Sequence, residues 1–136
     1  MNIDDVKALM KETGWGTLAT TDGETVGVRP MAGWAWMDDE LWCASGKTSD
    51  KINQLMKVTH AEYCFCNQEG KHARIAGECS VSTDNDDKLK LFKAVPLLKN
   101  YIEDPADPEY VVIRMKPDCI RIMATTDLEY EEVALK

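Results

Sequence analysis

At 136 residues, 44% apolar and 29% charged, the chain has the make-up of one globular domain with a modest core. Its formal net charge of -8 argues against a nucleic-acid binder, which needs a basic patch to displace counterions from phosphates. No apolar run approaches the ~20 residues that cross a bilayer, and the acidic start MNIDDVKALM lacks the basic and then apolar pattern of a secretory leader, so no membrane contact and a cytoplasmic location are expected.

The first predicted element is a helix. IDDVKALMKETG places Ile3, Val6, Leu9 and Met10 at helical spacing, with Asp4 and Asp5 in the first turn and Gly14 beyond the end. WGTLATTDGETVGVRPM then reads as a β-hairpin closed by a two-residue Asp22-Gly23 turn, and WAWMDDELWCAS repeats the device around Asp38-Asp39. SDKINQLMK is a short amphipathic helix carrying Ile52, Leu55 and Met56 on one side. Two strands follow, AEYCFCN and HARIAGECSVST, joined at QEGK.

DNDDKLKLFKAVPLLKNY is helical, capped by Asp84 or Asn85 and broken or restarted at Pro96. After the turn-rich EDPADPE, the segments EYVVIRM and DCIRIMAT read as two strands about a Lys116-Pro117-Asp118 turn. About seven strands in consecutive antiparallel pairs, with short helices inserted, cannot make a doubly wound sheet, which needs regular alternation of strand and helix. The fold class expected is mainly β, a small antiparallel barrel that hides its unpaired edges.

Cys43, Cys64, Cys66, Cys79 and Cys119 are an odd number with no CxxC pair, so buried free thiols are expected and a disulfide framework is not. Cys64 and Cys66, two apart on one strand, share a face but lack a nearby His or Cys at metal-site spacing; no metal is expected. Four tryptophans, Trp15, Trp34, Trp36 and Trp42, are a large aromatic load that would fill a barrel or concentrate at an interface.

Two stretches carry candidate chemistry. WCASGKTSDKINQL runs from a strand through Gly46 into a helix start, leaving backbone N–H groups of Ser49, Asp50 and Lys51 open, with hydroxyls on Ser45, Thr48 and Ser49 and ammonium groups on Lys47 and Lys51. Between Leu41 and Ala61 three lysines face one acid, Asp50, so the segment is locally positive in an acidic chain. It suits a phosphate, although the residues by themselves fit an ordinary capped helix with solvated lysines somewhat better. In GVRPMAG, Arg29 stands just before a proline that a strand tolerates at an edge, and its guanidinium could grip a phosphate bidentately or lie on an exposed face.

Taken in order, WGTLATTDGETVGVRPM, LWCASGKTSDKINQL, KHARIAGE and AVPLLKNYIEDPADPEYVVIRM resemble the pyridoxamine 5'-phosphate oxidase-like, FMN-binding split β-barrel superfamily in its short form, across roughly residues 5 to 125. The resemblance implies a flavin phosphate held by Arg29, Ser49 and Lys51, with Lys47 as a further contact. It also implies Ala44 and Ser45 beside the phosphoribityl chain and ring, Pro30 and Met31 along the isoalloxazine edge, and His72 as a polar ring contact. A homodimer with flavins at the subunit interface is implied as well, with an electron donor such as NAD(P)H and a small organic electrophile as substrate. No catalytic acid, base or nucleophile is named, since the flavin carries the electrons.

Short members of the superfamily include general stress proteins and nitroimidazole-resistance reductases, so a flavin-holding or sensing role without turnover is the alternative. Others in the wider fold bind haem or a deazaflavin, for which His60 or His72 would be the haem candidates. The longer pyridoxamine-phosphate oxidases carry a C-terminal segment with Trp and Arg; TTDLEYEEVALK has neither, so that activity itself is not expected.

Overall fold

The structure, a computed structural model, describes residues 1–135. Helix α1 (Ile3–Thr13) is capped reciprocally: Asn2 Oδ1 accepts the N–H groups of Asp4 and Asp5, while the Asp5 carboxylate accepts the Asn2 N–H at 2.7 Å. Its buried face, Val6, Leu9 and Met10, closes one end of the barrel.

Strands β1 (Gly16–Thr21) and β2 (Val26–Met31) pair antiparallel, with Leu18 opposite Arg29 and Thr20 opposite Gly27. Their connection is wider than the two-residue turn expected, running over 22–25. The cause is local, since Asp22 Oδ1 accepts the N–H groups of both Glu24 and Thr25, at 2.9 and 2.8 Å. Strands β3 (Trp34–Met37) and β4 (Glu40–Gly46) do turn in two residues, with Asp38 at φ 55° as a tight hairpin requires.

After α2 (Asp50–Leu55) come β5 (His60–Cys66), β6 (His72–Ser82) and α3 (Asn85–Ala94), the last capped by Asp84. Pro96 ends α3 and opens a 3-10 turn, Pro96–Asn100. The Lys116-Pro117-Asp118 turn is corrected: the chain runs through it as one strand, β7 (Tyr110–Met123). Gly77 of β6 lies opposite Pro117 at a register shift, and a β-carbon there would meet the Lys116 carbonyl oxygen at 2.2 Å. A missing side chain thus lets the irregularity be absorbed as a bulge rather than a reversal. A short β8 (Glu131–Val133), not anticipated from the sequence, pairs with β7.

The sheet order is β2-β1-β5-β6-β7-β4-β3, all antiparallel, with β8 off β7. This is a mainly β, curled half-barrel with a few short helices, as expected. Pro30 can stand in β2 because that strand is at the edge. The barrel interior is packed by Leu18, Leu41, Tyr63, Phe65, Ile75 and Met115, among others, against α1. A second cluster on the other face of β4 and β7 joins Trp42, Tyr110 and Val112 to Leu91, Val95 and Leu98 beneath α3, which is why YVVI is apolar without alternation. Trp34 stacks edge-on to Phe65 at 5.3 Å and donates its indole N–H to the Gly14 carbonyl, and Trp36 lies under Lys7; both seal the α1 end of the barrel.

Candidate functional site

The β4–α2 junction is shaped by its own backbone. The Lys47 N–H donates to the Glu109 carbonyl at 2.8 Å, which ties the loop to the entrance of β7. The Ser49 N–H, expected to be open, instead donates to the Gly46 carbonyl at 3.3 Å because the loop turns tightly there. Ser49 occupies the cap position of α2 without making a side-chain cap bond; its hydroxyl lies 3.0 Å from Ser45 Oγ. With six residues, α2 sums too few peptide dipoles to hold an anion by its N-terminus alone. Side chains must supply the rest.

Arg29 and Lys51 do so. Because Val26, Val28 and Pro30 point outward from β2, Arg29 points inward and folds back over Gly27. Its Nη1 donates to Thr20 Oγ1 at 2.6 Å, to the Leu18 carbonyl at 3.2 Å and to the Gly27 carbonyl at 3.3 Å, and its Nη2 donates to Gln54 Oε1 at 3.3 Å. Every acceptor is neutral. Burial pulls the Arg29 pKa down, with the field of Asp50 opposing. Lys51, half-buried, is also lowered, first by burial, with the Arg29 charge adding to the lowering while Cys43 and, more weakly, the Asp50 carboxylate oppose it. Two cations therefore converge at one corner, where water is partly excluded and neither forms an ion pair with another of the described residues.

From this corner a cleft of about 420 Å³ runs along the mouth of the half-barrel. Of the residues anticipated, Pro30, Met31, Ala44, Ser45 and Lys51 line it. Arg29 does not line it, though its charge reaches Lys51; Ser49 meets the lining residue Ser45, and the Lys47 side chain is exposed beside the loop. His72 is not brought to this cleft. It begins β6, paired with Cys66 and Met123, with Nδ1 2.9 Å from the Gly70 carbonyl and Nε2 2.8 Å from Tyr130 Oη. His60 lies against Asp118 at 3.0 Å, so neither histidine lines the cleft.

The far wall was not foreseen. It comes from Trp15, 59% exposed, from Leu97 and Leu98 of the 3-10 turn, and from Tyr101, 75% exposed, with Asp107 and Glu109 at the rim. That loop is clipped to α3 by Lys88, which is buried, donates to the Asp107 carbonyl at 2.8 Å and lies over the Tyr110 ring, whose hydroxyl donates to the Lys88 carbonyl. The 97–102 stretch carried a signal in Leu97, Leu98, Tyr101 and Ile102, four large apolar residues just before a turn-rich loop, but its place in the cleft wall is a long-range matter. Thr20, Gly27 and Gln54 were missed for the same reason.

No cysteine is among the residues that line the cleft. Burial pushes Cys43 and Cys79 up to about 12, and Cys64 is raised by burial as well. No three His, Cys, Asp or Glu side chains among the described residues are grouped so as to hold a metal ion. No helix among them is long and apolar enough to cross a membrane.

An antiparallel half-barrel with a few short helices and an apolar cleft beside two cations defines a protein of the split-barrel class. The family model described as pyridoxamine 5'-phosphate oxidase like matches residues 2–130, and the chain belongs to that family. A search of curated proteins finds no match. Among solved structures, a NimC/NimA family protein from Clostridium acetobutylicum superposes with a TM-score of 0.83 at 24% identity, over 96% of this chain and 90% of that one. General Stress Protein 26 from Bacillus anthracis gives 0.76 at 22% identity, over 95% and 96%. A pyridoxamine 5'-phosphate oxidase-related, FMN binding protein from Nostoc punctiforme gives 0.69 at 13%, over 95% and 86%. At these identities the likeness is one of fold.

Proposed function

We propose that the protein binds FMN in this cleft and serves as an oxidoreductase for a small organic electrophile. The observation that carries the reading is the pair Arg29 and Lys51, two partly buried cations close enough for the charge of Arg29 to lower Lys51. Neither is in an ion pair with another described residue, and Arg29 is bonded only to neutral acceptors. A buried charge left without a counter-ion is costly, and a doubly negative phosphate relieves that cost for both at once. Ser45 donates to the Gly46 carbonyl at 3.0 Å, which leaves the Ser49 hydroxyl as the one that can turn to a phosphate oxygen, and Pro30, Met31 and Ala44 give the cleft an apolar lining against which a ring system can lie. The Nostoc punctiforme neighbour in fold, an FMN binding protein, supports this choice of phosphate ligand.

Bound there, FMN supplies hydride and single-electron chemistry. The chain's own residues hold the phosphate, orient the ring and limit water. Trp15, Leu97 and Tyr101 leave apolar room beside the ring wall for a planar substrate. A homodimer is part of the proposal, supported by the outward face of edge strand β2, where Val26 and Val28 are 72% and 62% exposed beside Pro30. NAD(P)H is the proposed donor.

The test is an FMN titration followed by flavin fluorescence, then reduction of the loaded protein by NADH or NADPH and challenge with nitroaromatics, quinones and oxygen. Saturable one-to-one binding and turnover of one acceptor are expected. No binding overturns the reading; binding without turnover of any pair leaves a flavin-holding protein.

A further inference from the structure

Arg29 is held in place by a side chain that the phosphate site itself does not account for. Gln54, on the last turn of α2, accepts Arg29 Nη2 at 3.3 Å through Oε1, and the same oxygen accepts the hydroxyl of Thr20. Thr20, 1% exposed, in turn accepts Arg29 Nη1 at 2.6 Å. The three side chains close a small ring of hydrogen bonds across β1, β2 and α2. Gly27 makes room for it, since a β-carbon at that position would stand 2.5 Å from Arg29 Nη2 and 2.8 Å from Gln54 Oε1.

The chemical type at position 54 matters as much as the geometry. A glutamate of the same length would accept the same two donors and bind the guanidinium more strongly, as a charge-assisted pair. It would also cancel the charge. With an amide, all four acceptors on Arg29 orient the guanidinium while leaving its positive field intact. The Asp50 carboxylate is the acid whose field reaches Arg29, and it sits on an exposed residue.

We infer that Gln54 is a positioning residue: through Thr20 and over Gly27 it fixes Arg29 at the anion corner and, being uncharged, reserves that charge for the phosphate of a ligand. This rests on the FMN reading above and adds the residue that sets its preference for phosphorylated over unphosphorylated flavin.

The experiment compares FMN and riboflavin binding, by flavin fluorescence, in wild type, Gln54→Glu and Gln54→Met, with the thermal midpoint of each flavin-free protein. Gln54→Glu should keep or raise the midpoint at neutral pH, weaken FMN about tenfold or more and change riboflavin less than about twofold. Gln54→Met, neutral and of similar length, should also weaken FMN selectively, by several-fold, through lost orientation. FMN affinity unchanged in both variants, or FMN and riboflavin lost in equal measure, overturns the inference while wild-type discrimination keeps the flavin-phosphate reading. Wild type that binds riboflavin as tightly as FMN fails the underlying reading, and the role of Gln54 falls with it.

Discussion

Ser45 Oγ and Ser49 Oγ lie 3.0 Å apart, joining the end of β4 to the first turn of α2. Ser49 stands where a serine normally caps a helix, yet its hydroxyl is turned away from the helix and toward the cleft wall. The usual loss on removing a capping hydroxyl, about 1 kcal/mol, is therefore not expected. Ser49→Ala should cost about 0.5 kcal/mol in a urea titration, the low end for one part-buried hydrogen bond, here the contact with Ser45, while FMN affinity falls several-fold.

Lys51 and Arg29 are expected to act on the phosphate and not on the ring. Lys51→Ala should weaken FMN by about tenfold to a hundredfold, the range for loss of a charged hydrogen bond, and leave riboflavin nearly unchanged. Equal weakening of the two flavins in equilibrium titrations would contradict the placement. Arg29→Lys should not rescue, because an ammonium cannot span the Thr20 and Gln54 acceptors and still present a fork to phosphate.

The lowered pKa of Lys51 gives a pH dependence with a definite sign. In the flavin-free protein the ammonium is harder to keep charged than in the unfolded chain, so its burden on stability is full at low pH and lifts as pH rises from the lowered value toward the ordinary 10.5. Phosphate favours the charged form, so FMN affinity should be flat at neutral pH and fall as pH climbs through the lowered Lys51 value, with uptake of a proton on binding in that window. Titrations from neutral to alkaline pH measure this. Lys51→Arg should remove the alkaline fall, because a guanidinium stays charged throughout.

Gly77 tests the fold independently of the site. The β-carbon of Gly77→Ala would meet the Lys116 carbonyl at 2.2 Å and the Pro117 Cα at 2.8 Å, both backbone atoms that cannot turn aside. A loss of about 3 kcal/mol in urea unfolding is expected, near the upper end for a single core overpacking. A loss below about 1 kcal/mol would show that β7 can reshape at the bulge.

Much of the fold is legible along the chain because its signals are short-range. The spacing of Val6, Leu9 and Met10, the Asp38-Asp39 turn and the Asp84 cap each depend on residues within a turn or two, and each is found where the pattern puts it. The candidate site residues are local in the same sense, Arg29 standing before a proline on an edge strand and Ser49 and Lys51 at a helix start. Where a local signal has two physical readings, the chain alone misleads: Lys116-Pro117-Asp118 has turn chemistry, and only its pairing with side-chain-free Gly77 makes it a bulge inside one strand.

What the tertiary structure decided is which distant strands meet. The placing of β4 against β7 and β1 against β5 sets Gly46 beside Tyr110, lets the 97–109 segment wall the cleft, and brings Gln54 and Thr20 to Arg29 while carrying His72 elsewhere. Hydrophobic periodicity says which face of each strand is buried but not against what, since burial of apolar surface is non-directional. Partner choice comes from the joint packing of all the strands and helices, and that is a property of the folded chain as a whole.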